Sequence, residues 1–157
     1  MRQMFFTLIA VLLAACASSP EVKREIVPSE AKPAKVSDDS LEPQELGAGE
    51  CALFLWTADE PRRFVLFYPA ESDAADAVIQ AKKVRLTPLS QTGSIFGQFM
   101  TDLKFQSPDG ARVDVKLVPG ESVEGGQRVS SAQMSIIDAQ GWETIVPLVG
   151  LRACQPE

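Results

Sequence analysis

The sequence predicts an all-β fold, a small antiparallel barrel or sandwich of seven to eight strands, with one short helix over residues 71–83 as an open alternative. Three observations predict it. From residue 51 onward, short runs alternate apolar and polar residues at period two, the pattern of half-buried strands. Turn chemistry separates these runs at hairpin spacing: Asp59-Glu60-Pro61, Ser107-Pro108-Asp109-Gly110 and Asp138-Ala139-Gln140-Gly141. Finally, Cys51 opens the first run and Cys154 closes the last, as expected if the two end strands are neighbours.

The elements follow in order. Residues 51–57 (CALFLWT) and 63–68 (RFVLFY) form a hairpin across the Asp-Glu-Pro turn, with Pro69 ending the return strand. Both strands are apolar on both faces, so a second layer must cover the outer one or a patch stays exposed. Residues 71–83 read two ways. Glu71-Ser72-Asp73 can cap a helix that carries Ala74, Ala77, Val78 and Ala81 on one face, or a strand can enter at Ala77. Residues 83–89 alternate with Val84, Leu86 and Pro88 on one face, and Pro88 points to an edge or a strand end. A loop over 91–97 is built around Thr92-Gly93. Residues 98–106 then place Phe99, Thr101, Leu103 and Phe105 on one face. The cleanest hairpin follows. Pro108 and Gly110 make the turn, and Val113, Val115 and Leu117 return inward. Residues 119–126 read as a polar, glycine-rich loop. Strands over 129–138 and 142–151 complete the domain, with Pro147 marking a bulge or exposed edge.

Before residue 49 the grammar changes. Arg2 precedes an apolar run over 4–13, too short to span a bilayer, where about 20 apolar residues are needed. Small residues then lead to a cysteine in Leu13-Ala14-Ala15-Cys16. This resembles the lipobox of bacterial lipoproteins. The resemblance covers residues 1–16 and implies a signal peptide over 1–15, cleavage before Cys16, and lipidation of Cys16 as the membrane anchor. Ala17, where many inner-membrane lipoproteins carry Asp, implies the outer membrane, with the domain facing the periplasm or cell surface. Residues 16–48 then read as lipidated N-terminus and disordered tether. Pro20, Pro28, Pro33 and Pro43 interrupt helices, and 17–49 holds no aromatic residue. Such a coil has a typical end-to-end distance of about 30 Å and an extended length of about 100 Å. The folded domain is placed at 49–157.

Composition excludes several functions. Cleavage removes Arg2 and no acid, taking the formal charge from −6 to −7, which disfavours nucleic-acid binding. The chain has no histidine, which removes imidazole acid–base catalysis, histidine-activated nucleophiles and histidine-ligated metals. No catalytic motif, metal spacing or cofactor fingerprint is present, so no enzymatic activity, metal or cofactor is expected. With Cys16 assigned to lipid, Cys51 and Cys154 remain. Their separation fits no redox or metal motif, and an exported compartment favours a structural disulfide.

The candidate interaction face is Trp56, Arg62, Arg63 and Tyr68, around the first hairpin. The partner expected there is another envelope protein, which makes the domain a binding module or a structural or assembly accessory. The combination of lipobox, small β domain and cysteine pair is also broadly similar to membrane-bound lysozyme-inhibitor lipoproteins. That similarity implies an inhibitor module whose acidic charge suits a cationic partner.

Overall fold

Eight antiparallel strands follow one another in chain order and close into a barrel in the computed structural model, which describes residues 39–157. They are β1 (Cys51–Thr57), β2 (Phe64–Pro69), β3 (Ala75–Ile79), β4 (Lys82–Phe96), β5 (Phe99–Gln106), β6 (Arg112–Val123), β7 (Gly126–Ile137) and β8 (Glu143–Cys154). The fold is therefore all-β and a barrel, not a sandwich. The lipobox, Cys16 and the first part of the expected tether lie outside the described residues.

Alternation along each strand sends one set of side chains inward. Leu53, Leu55, Leu66, Leu86, Phe96, Phe99, Leu103, Phe105, Val113, Val115, Met134 and Leu148 are all under 2% exposed. Eight strands leave an interior just wide enough for side chains to fill, and here they fill it. The expected inward set Val113, Val115 and Leu117 is buried, as are Phe99, Leu103 and Phe105 of the second set, whereas its fourth member, Thr101, is half-exposed.

The helix over 71–83 does not form. Residues 75–79 are strand β3, pairing with β2 through Leu66↔Ala77 and with β4 through Ala75↔Leu86 and Ala77↔Val84. Ala77, which lies on the expected helix face, serves a strand equally well, where it and Ala75 form a buried alternating pair. An open position between β2 and β4 decides in favour of the strand. The β3–β4 turn puts both central residues, Gln80 (φ 49°) and Ala81 (φ 60°), in the left-handed region, where glycine or asparagine is usual.

Two expected loops are strand as well. β4 runs through 91–96, with a register shift between Thr92 and Ile95 that absorbs Gly93 (φ 91°). Its hairpin turn is Gly97-Gln98, with Gly97 at φ 63° as the first central residue of a II′-type turn requires. β6 likewise continues to Val123 by register shifts on both sides of Pro119. Bulges let strands take in glycine and proline that read locally as loop.

The outer face of the first hairpin is covered by the chain that precedes it. Leu41 is 7% exposed and donates its N–H to the Phe64 carbonyl at 2.7 Å. Phe64 N–H donates to Ser40 Oγ at 3.1 Å. Since β3 pairs with β2 only at Leu66 and Phe67, residues 40–41 supply partners that β3 does not reach. Leu46 packs against the same core, and Glu42 pairs with Lys83 at 3.2 Å. Residues 39–48, expected at the end of the tether, therefore form a strap on the barrel.

Closure requires β8 to lie close against β1. Gly150 stands opposite Leu55, where a Cβ would collide with the Phe54 carbonyl and the Leu55 side chain. Gly150→Ala is expected to destabilise the domain by at least about 2 kcal/mol, because backbone must move to admit the methyl. Ala81→Gly should have the opposite sign, a gain of about 0.5–1 kcal/mol from relief of the left-handed conformation. Urea unfolding of both variants checks the pair, and equal signs would contradict this account of the seam and the turn.

Candidate functional site

Two successive outward residues of β1, Phe54 and Trp56, start an aromatic row on the outside of the barrel. The row continues onto β2 through Phe64 and Phe67. Phe54 and Trp56 stack with centroids 6.2 Å apart, Trp56 and Phe64 at 5.2 Å, and Phe54 meets Phe67 at 5.1 Å. A register shift between Leu55 and Trp56 brings Phe64, not Val65, opposite Trp56, which is how the bulge places the two rings face to face. The strap buries the Phe64 and Phe67 end to 7% exposure, whereas Phe54 and Trp56 remain only half-buried.

Beyond Trp56 the face passes to β8, where Val149 pairs with Trp56 and Leu151 with Phe54. A shallow cleft of about 310 Å³ lies here, lined by Trp56, Arg62, Arg128, Val149 and Leu151 among others. Its guanidinium groups come from opposite sides. Arg62 pairs with Glu60 at 3.4 Å and Arg128 with Glu121 at 3.0 Å, all four side chains largely exposed. Exposed pairs of this kind contribute little to stability and exchange readily for another carboxylate. The arrangement suits an apolar side chain set on the indole and acidic groups on either side.

The structure divides the four residues expected to form one face. Trp56 and Arg62 share the cleft. Arg63 instead turns to the barrel mouth formed by the β3–β4 end, bridging Asp39 at 3.3 Å and Asp59 at 3.6 Å beside a 260 Å³ depression lined by Thr57, Val65, Val78 and Met134. Tyr68 is not on the surface at all. It is 3% exposed inside the barrel, edge-on to Phe105 at 5.2 Å, and its hydroxyl accepts from Gln91 Nε2 at 3.2 Å. Alternation explains the difference. Tyr68 pairs with Leu53 and shares its inward face, while Trp56 lies on the opposite one.

Arg128 was not legible as part of this face. It sits far from Trp56 in the chain, and only the closure of β8 between β7 and β1 brings them together. Cys51 and Cys154 do meet, joined in a disulfide at the end of the β1–β8 seam. Comparison with protein-family models, curated proteins and solved structures gives no match.

Burial raises the Tyr68 phenol above its ordinary value near 10, with the Gln91 hydrogen bond opposing more weakly. Unfolded chains ionise this phenol first as pH climbs, so its contribution to stability is present below pH 10 and is lost as pH rises above it. Urea unfolding between pH 9 and about 11.5 should show a fall in stability that is shallower in Tyr68→Phe. Equal slopes in the two proteins would place Tyr68 in water in the folded state.

Proposed function

We propose that this chain is a bacterial lipoprotein, anchored through Cys16 in the outer membrane, whose barrel is an interaction module for another envelope protein. The observation that carries the interaction is the half-buried Trp56 at the uncovered end of an aromatic row, between Arg62 and Arg128. Aromatic and arginine residues clustered this way supply most of the energy of protein contacts. The partner presents an apolar side chain with carboxylates beside it. Its role is binding or assembly in the envelope and not catalysis.

Anchoring and docking are tested separately. Cys16→Ser is expected to move the protein from the membrane to the soluble fraction, and retention in washed membranes would overturn the anchor. For docking, a photo-crosslinking residue at Val149 should give one discrete adduct in native envelopes, while the same probe at Lys116, on the outer face of β6, gives none. The Arg62→Glu, Arg128→Glu double variant should abolish that adduct with the fold unchanged by circular dichroism. Trp56→Ala should weaken it about 30-fold, the effect of losing a central anchor of about 2 kcal/mol. An adduct that survives both changes would exclude this face.

A further inference from the structure

The Cys51–Cys154 disulfide lies among groups that a simple staple does not require. Arg152 precedes Cys154 by two residues on β8 and therefore shares its side of the strand. Its Nη1 lies 3.2 Å from Cys154 Sγ and 3.1 Å from Gln98 Oε1. Its guanidinium carbon sits 5.9 Å from the centre of the Phe96 ring. The β4–β5 turn presses on it from above, since a Cβ on Gly97 would come within 2.7 Å of Arg152 Cδ and Nε. Arg152 Nε is buried without a hydrogen-bond partner. No carboxylate forms a salt bridge with Arg152 among the described residues. A cation is thus held against one sulfur of the pair by a ring, a turn and an amide.

The two cysteines, both half-buried, also differ in their surroundings. A cleft of about 530 Å³ opens at this end of the barrel, lined by Gly49, Glu50, Cys51, Pro69, Ser72 and Gln98 among others. Cys51 belongs to its wall and Cys154 does not. The seam has backbone ties besides the sulfur bond. β1 and β8 remain paired from Ala52↔Ala153 to Thr57↔Leu148, and the interior is filled by apolar side chains from all eight strands.

We propose that Cys51–Cys154 is an exchange-competent disulfide, with Cys51 the sulfur attacked and Cys154 the leaving thiolate. The reactant is a dithiol, small or protein-borne. Its thiolate attacks Cys51 Sγ from the cleft, forming a mixed disulfide, and the electron pair of the broken bond goes to Cys154 Sγ. Arg152 stabilises that thiolate, as cations beside cysteine do. The second thiol of the reactant then attacks the mixed disulfide, gives up its proton to solvent and releases Cys51 as a thiolate that takes a proton from water. The dithiol ends as a disulfide and the protein as two reduced cysteines. A better leaving thiolate speeds exchange, so Arg152 acts as a positioning residue for the sulfur chemistry and not as a reactant. The inference is independent of the Trp56 face, which lies on the outside of the barrel.

The test uses the oxidised mature protein and 2-mercaptoethanol, a monothiol that stops at the mixed disulfide. After acid quenching, peptide mass mapping should place the adduct on Cys51 and the free thiol on Cys154. An adduct shared equally, or found on Cys154, overturns the assignment. Reduction by dithiothreitol at pH 7 should slow about threefold or more in Arg152→Gln, which keeps the disulfide and removes the charge, and should recover in Arg152→Lys. Measuring urea stability of the oxidised variants alongside separates this from loosened packing. A rate unchanged in Arg152→Gln, or one that tracks stability across the variants and not charge, leaves the disulfide as a staple.

Discussion

Everything in this domain depends on the pairing of its first strand with its last. β1 and β8 are the ends of the folded chain, and their seven-position register from Cys51↔Cys154 to Thr57↔Leu148 turns an eight-stranded meander into a closed barrel. Without it, both strands are free edges whose unpaired N–H and C=O groups invite association. Closure by non-local pairing is entropically expensive, because the chain between the two strands must be ordered before they reward each other. The disulfide across 103 residues acts on that cost. In the chain-entropy model a loop of this size is worth about 4–5 kcal/mol, comparable to the whole net stability of a small domain.

The seam also explains why the first hairpin is apolar on both faces. Inward residues Leu53, Leu55 and Leu66 fill the barrel like those of any other strand pair. Outward residues Phe54, Trp56, Phe64 and Phe67 need a second covering, and the strap supplies it in part through Leu41 and Leu46. A single element thus finishes the β2 ladder by its backbone and the outer core by its side chains. What it leaves half-covered is the Trp56 end, flanked by cations from β8's other neighbour and from the β1–β2 turn. The face proposed for docking is therefore the remainder of a core layer, not an isolated surface patch.

Period-two patterning made most strands legible, and the turn residues around Asp109 and Gly141 made two hairpins legible. Where alternation lapsed, the reading lapsed too. Polar, glycine- or proline-bearing stretches at 91–97 and 119–126 are strand because bulges hold them in the ladder, a tertiary effect that no local window displays. Residues 75–79 were ambiguous because alanine suits both periods, and only the vacancy between β2 and β4 resolves them. The site was half legible. Trp56 and Arg62 are close in the chain and close in space, but Tyr68 turns inward because the hairpin register sets it opposite Leu53, and the bulge in that same pairing breaks the parity a sequence reading would use. Arg128 required knowledge of which strand β8 pairs with on its far side. By contrast, the placement of Arg152 beside Cys154 follows from alternation alone. Its significance depends on the Gly97-Gln98 turn, and that turn was concealed within an expected loop.

The strand lengths show how one barrel can carry two different surfaces. β1, β2 and β3 have 7, 6 and 5 residues, while β4, β6, β7 and β8 have 12 to 15. Short strands confine the strap and the aromatic row to one side of the barrel wall. Long strands, coiled by their bulges, carry the β4–β5 and β6–β7 turns past the point where β1 ends, so that Gln98 reaches Arg152 and the Gly125 carbonyl accepts from the Cys154 N–H at 2.8 Å. The disulfide thus sits at the seam's end within the reach of two hairpins: the seam strand β8 supplies the cation beside it, and the β4–β5 turn holds that cation in place through Gln98. At the position where it lies, Arg152 stands beside Cys154 and a cleft runs along Cys51, an asymmetry that closure by itself does not explain.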